Sequence, residues 1–116
     1  MTITVPAPAA LLNSNDRLHR MTAAKITRAW RAAGYTAAQG QASLPTPCRV
    51  IAYVVKPRAG RYDPGNLYPT AKAVLDGITD AGLWPDDDHT HVIGPDMRHG
   101  GKGPAALIIR IAEPDD

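Results

Sequence analysis

The segment Cys48–Lys56, CRVIAYVVK, constrains this chain more than any other. It is rich in β-branched residues and apolar on both of its alternating faces, which is the pattern of a strand inside a sheet. An interior strand needs partners on both sides, so the rest of the chain has to supply them. Thr2–Val5 reads as a short first strand stopped by Pro6 and Pro8, His91–Arg98 as a third strand, and Ala105–Ala112 as a last one after a Gly100–Gly103 turn. Two helical stretches lie between the strands. One runs from about Arg17 to Ala33, after possible N-caps in Asn13-Ser14-Asn15-Asp16, and stops at Gly34. The other runs from about Leu67 to Ala81 and stops at Gly82. The order strand, helix, strand, helix, strand, strand predicts a mixed α/β (α+β) fold with a sheet of about four strands and two main helices. With 116 residues, 44% of them hydrophobic and no Phe, the chain suits one domain over 1–116 with a modest core. Self-association is a common source of added stability for such a core.

The formal net charge of +2 conceals a strong segregation. Residues 1–61 carry nine Lys or Arg and one acid, Asp16, for a net of +8; residues 62–116 carry four Lys or Arg and ten acids, for a net of −6. The first half is a candidate phosphate-binding surface and the second a concentrated supply of carboxylates. In the first helix, at about 100° per residue, Arg17, Arg20, Arg28 and Arg31 fall within roughly 80° of one another. Leu18, Ile26, Ala29, Trp30 and Ala33 lie on the other side. The stripe reads either as a solvated helix face or as a set of phosphate contacts, and its lack of acidic neighbours on the helix favours neither a plain surface nor intrahelical pairing. Lys56, Arg58 and Arg61 form a second basic group, on the loop after the central strand.

The acids gather around the second helix. Lys72, Asp76 and Asp80 are spaced i, i+4, i+8, opposite a face of Leu67, Ala71, Val74, Leu75 and Ile78. Asp63 precedes that helix, and Asp86, Asp87 and Asp88 follow it. Carboxylate oxygens are the ligands that hard cations such as Mg²⁺ require. A metal so held can activate water and stabilise a leaving oxygen, and a lysine nearby can offset charge in the transition state. The same residues also read as a surface ion pair and a polar turn. His89 and His91 share a strand face but have no third soft ligand nearby, and are read as structural; His19 and His99 are read as surface or phosphate contacts. The single Cys48 excludes an internal disulfide, and no GxSxG, Walker or CxxC motif is present. No basic region followed by an apolar run opens the sequence, and no stretch reaches the ~20 apolar residues of a membrane span. A cytoplasmic protein without a membrane partner is expected.

Taken in order, residues 61–88 resemble the core motif of the RusA family of Holliday junction resolvases. Asp63-Pro64-Gly65-Asn66 stands where the family has Asp-x-Asp-Asn, and Lys72 stands for its lysine. Leu75-Asp76-Gly77-Ile78, Ala81-Gly82-Leu83 and Asp86-Asp87-Asp88 follow in the family's order. Asn13–Arg20 is similar to the family's polar, basic segment after the first strand. The resemblance implies a homodimer of mixed α/β fold that needs Mg²⁺ or Mn²⁺. It implies an endodeoxyribonuclease that nicks opposing strands of a four-way DNA junction symmetrically, in recombination and repair. It makes Asp63, Asp76, Asp86 and Asp87 the metal ligands and Lys72 a residue important for cleavage. Arg17, Arg20, Arg28, Arg31, Lys56, Arg58 and Arg61 would then contact phosphates. Two departures stand out. Gly65 replaces the second early aspartate, and about three extra residues, Tyr68-Pro69-Thr70, separate Asn66 from Lys72. They leave two alternatives beside the resolvase: a junction-binding protein without catalysis, and a less selective nuclease for branched DNA.

Overall fold

The computed structural model describes residues 1–58 and 60–115. Strand β2 occupies Cys48–Lys56, as expected, and lies inside a four-stranded sheet of order β1-β4-β2-β3. Strand β1 is Thr2–Pro6, β3 is Val92–Lys102 and β4 is Ala106–Ala112. Strand β4 runs antiparallel to both β1 and β2, whereas β3 runs parallel to β2. A parallel pair cannot be closed by a tight turn, and the crossover from β2 to β3 carries helix α2, Tyr68–Asp80. The step from β3 to β4 then passes over the end of β2, where the Gly103 amide donates to the Lys56 carbonyl at 3.0 Å.

Helix α1, Arg20–Ala38, packs against α2, and the two cover one face of the sheet. Val50, Ala52 and Val54 of β2 and Leu107, Ile109 and Ile111 of β4 meet Trp30, Val74, Leu75 and Ile78 in a single core. The opposite face of β2, which presents Arg49, Ile51, Tyr53 and Val55, is covered by no second layer among the described residues. The apolar character of β2 on both faces therefore does not report two covering layers. Ile51 is only 7% exposed on this face, where its register neighbours are Arg110 on β4 and Asp96 on β3.

Several boundaries differ from expectation, each for a physical reason. Helix α1 runs four residues past Gly34, because Gly34 serves the helix crossing instead of ending the helix. A Cβ there would stand 2.4 Å from the Val74 carbonyl oxygen of α2. Gly77 of α2 answers it, with a Cβ position 2.0 Å from the Arg31 carbonyl oxygen. The two backbones thus touch where each helix lacks a side chain. At its other end α1 begins at Arg20, capped by His19, whose Nδ1 accepts from the Met21 amide at 3.2 Å. Asn13 closes its own turn, with its side chain accepting from the Asn15 amide at 2.8 Å. Arg17 and Leu18 therefore lie before the helix, and Leu18 is 43% exposed instead of packed.

The second helical stretch is two elements: a 3₁₀ turn over Pro64–Leu67, then α2. Asp63 caps the turn, accepting from the Gly65 amide at 2.9 Å. The extra residues before Lys72 have a structural task. Thr70 is fully buried, and its hydroxyl accepts from the Leu12 amide (2.8 Å) and donates to the Leu12 carbonyl (2.9 Å). This pins the 7–19 segment across the start of α2, aided by the Ser14 amide bonded to the Asn66 carbonyl at 2.7 Å. Strand β3 continues through Gly100 and Gly101, which were expected to turn. Gly100 lies so close to β2 that a Cβ would meet the Val54 carbonyl oxygen at 2.8 Å, so glycine lets the strand run on. Among the described residues no helix is long and apolar enough to cross a membrane.

Candidate functional site

Residues Lys72 and Asp76 are one turn apart on α2, and the loop after α2 folds back to bring Asp87 to them. The anchor for that fold-back is Trp84, fully buried, whose indole N–H donates to the Thr79 hydroxyl at 2.8 Å. The Lys72 ammonium donates to Asp76 at 2.8 Å and to Asp87 at 2.5 Å. Two carboxylates from different segments thus converge on one cation. The Asp87 side chain is 17% exposed, so the pairing is partly shielded from solvent.

The protonation states follow from this arrangement. Burial alone would raise the Asp87 pKa, but the hydrogen bond it accepts from Lys72 and the lysine's charge hold it below the ordinary carboxylate value. Burial likewise works against the Lys72 ammonium, yet bonding to Asp76 and Asp87 keeps its pKa above the ordinary lysine value. The depressed Asp87 pKa favours the folded state above the ordinary Asp range, ~3.9, and that contribution is lost as pH falls through the folded value. The raised Lys72 pKa favours it below ~10.4 and is lost as pH rises through the folded value. At neutral pH Asp87 is therefore ionised and Lys72 protonated, each holding the other in its charged form. Replacing Lys72 by Met removes the cation between the two acids. The Asp87 carboxyl is expected to titrate at a higher pH in that variant, read by carboxyl ¹³C NMR; an unmoved titration would mean that Lys72 does not set its charge.

The remaining acids are placed differently. Asp63 is occupied as the cap of the 3₁₀ turn, and it does not form a group of three with Asp76 and Asp87. Asp86 accepts from the Asp87 amide at 2.7 Å and so shapes the loop that presents Asp87. Asp88 pairs with the His91 ring and accepts from the Thr90 hydroxyl at 2.8 Å. His91 is thus held by a carboxylate, and His89 is exposed. Among the described residues no three His, Cys, Asp or Glu side chains converge as a metal cage. The donor set present is a pair of carboxylates, a chemistry that suits a hard cation retaining several waters. Cys48 is buried with its thiol donating to the Pro45 carbonyl at 2.9 Å, and burial pushes its pKa up, so it is not an activated nucleophile.

The basic residues also separate into groups. Arg20 and Arg28 are exposed on α1, and Arg17 is exposed before it. Arg31 departs from the expected stripe: its guanidinium makes two bonds to Asp80, at 2.7 and 2.9 Å. Helix periodicity could not find this pair, because it depends on the Gly34–Gly77 crossing. Arg58 and Arg61 line a cleft of about 210 Å³ with Lys56, Gly60 and Tyr62. Lys56 stands 4.3 Å from the centroid of the Tyr62 ring, and that ring lies 5.1 Å from the ring of His99. A cavity of about 660 Å³ lies near the chain ends, between Met1, Leu44, Cys48, Arg110 and Glu113, and includes none of the candidate acids.

No protein-family model and no curated protein matches this chain.

Proposed function

We propose that this protein is a metal-dependent endodeoxyribonuclease that cuts four-way DNA junctions, acting in the cytoplasm as a homodimer of the RusA type. The observation that carries the reading is Lys72 held between Asp76 and Asp87, three residues that also occupy matching places in the family's ordered motif. The charge segregation adds support, with Arg20, Arg28, Lys56, Arg58 and Arg61 free of carboxylate partners among the described residues.

Asp76 and Asp87 would hold Mg²⁺ or Mn²⁺, with Asp86 and Asp63 on neighbouring segments. When bound, such an ion supplies Lewis-acid polarisation of the scissile phosphate and lowers the pKa of water. The chain's own residues do the rest. Lys72, cationic throughout the neutral range, offers a fixed positive charge to the phosphate as negative charge grows in the transition state. The α1 arginines and the basic loop bind the backbone and set the register of the substrate, and such binding weakens steeply with salt. A two-fold dimer would present two equivalent sites to a junction of near two-fold symmetry.

A labelled synthetic junction incubated with the purified protein tests the reading. Paired symmetric nicks that need Mg²⁺ are expected on the junction and not on linear duplex. Equal cutting of forks and linear DNA would replace junction selectivity with a less selective nuclease.

One observation favours the non-catalytic alternative. Gly65 stands where the family has an acid, and a Cβ there would lie 3.2 Å from the Asp63 carboxylate. A carboxylate side chain there would stand beside Asp63, which would have to give by a few tenths of an ångström to admit it. If the chain has lost its activity through this position, Gly65→Asp should confer metal-dependent cutting on a protein that otherwise binds junctions without nicking them. In an active wild-type protein the same change should alter the metal requirement without creating activity anew.

A further inference from the structure

The bare face of the sheet has a chemistry of its own, separate from the α2 site on the helical layer. The register places its side chains in rows across the four strands. One row reads Thr2, Arg110, Ile51, Asp96; the next reads Thr4, Ile108, Tyr53, Arg98; Arg49 stands beside Ala112 and Ile93 at one end. Tyr53, the aromatic side chain on this face of the central strand, is partly exposed. Arg98 and Arg110 flank β2 on its two sides, two strand spacings across and two residues along, roughly 12 Å apart. The face carries three arginines against one aspartate. Asp96 is shared between them, bonding Arg98 at 2.6 Å and Arg49 at 3.3 Å, while Arg110 has no carboxylate partner among the described residues.

We propose that this open sheet face binds single-stranded nucleic acid, with Tyr53 as the stacking platform and Arg49, Arg98 and Arg110 as the phosphate contacts. A flat sheet with an aromatic residue on its central strand can meet the face of a base only when that base is unstacked, which excludes the interior of a duplex. Arginines on both sides of the platform match a backbone that passes across it. Charge complementarity separates this occupant from a second copy of the chain. Two such faces brought together would set excess arginine against excess arginine. Their apolar gain would come mainly from Ile93 at one end, 42% exposed, because Ile51 and Val55 are already 7% and 9% exposed. The proposal stands independently of the nuclease reading, since it uses none of the residues of the Lys72 cluster.

The test is fluorescence anisotropy of a labelled oligo-dT of about a dozen nucleotides with the full chain in EDTA, so that no cutting is involved. The wild type is expected to bind, and Tyr53→Trp to bind as well or better. Tyr53→Leu should weaken binding about tenfold. The double variant Arg98→Gln, Arg110→Gln should lower the slope of log K against log salt by about 1.4, from ~0.7 per lost phosphate contact on a single strand. Circular dichroism melts confirm that each variant is folded. Absence of wild-type binding, or an unchanged affinity and slope in both variants, would overturn the proposal. Sedimentation of Arg110→Glu gives a third route to failure: conversion of a dimer to a monomer would assign the face to a second copy.

Discussion

Gly77→Ala is expected to destabilise the protein by about 3 kcal/mol or more, although the same change in an exposed helix would stabilise it by ~1 kcal/mol. The two effects oppose each other, and the geometry decides between them. A Cβ on Gly77 would sit 2.0 Å from the Arg31 carbonyl oxygen and 2.7 Å from the Tyr35 amide nitrogen, both backbone atoms of α1 that no rotamer change can move aside. The helices would have to separate along their shared contact, opening the core around Val74 and Ile78. Against a typical total stability of ~5–15 kcal/mol this is a large fraction. Urea denaturation measures it directly. A rise in midpoint would show that the helices do not meet backbone to backbone. Because Arg31 lies at the crossing, its ion pair with Asp80 should loosen in the same variant.

The second large effect concerns chemistry. Asp87→Asn is expected to reduce junction cleavage by about a thousandfold, equivalent to ~4 kcal/mol of transition-state stabilisation. Junction binding should hold or tighten, because a negative charge has been removed from a phosphate-facing surface. The substitution is nearly isosteric and Lys72 keeps its bond to Asp76, so the fold should persist, with a lower melting temperature at neutral pH from the lost Asp87–Lys72 ion pair. Measuring cutting and anisotropy on one preparation separates the outcomes. A variant that cuts like the wild type removes Asp87 from the site, and a variant that neither cuts nor binds has lost more than a ligand.

Much of the architecture was legible because it rests on local rules. Strand β2 announces itself by composition, and its observed bounds are those read from its residues. The Lys72–Asp76 contact follows from helix spacing alone. What escaped depends on contacts distant in sequence. Gly34 looks the same in a sequence whether it ends a helix or lets another helix approach, and only the partner Gly77 tells the two apart. Asp80 and Arg31 are 49 residues apart and meet through that crossing. The capping of the 3₁₀ turn by one Asp63 oxygen was also not legible, because a capping aspartate and a ligating one carry the same signature ahead of a helix. The ordered acids made Asp87 a candidate, but its return to Lys72 required the buried Trp84, which the acidic character of its loop concealed. The bare sheet face was hidden for a related reason: Ile51 and Val55 are only 7% and 9% exposed although no second layer covers them among the described residues, so the strand has the composition of one covered on both sides.

The two borders of the sheet bear on how this protein behaves at high concentration. A free strand border offers a row of unpaired amides and carbonyls to any other extended chain, and this is how many sheets begin to aggregate. Here one border is β1, only five residues long and ending in Pro6. The other is β3, whose register shifts at Gly94-Pro95, where the proline has no N–H to donate. Neither border can accept a long, regular added strand. Growth of fibres by strand addition at either border is therefore disfavoured.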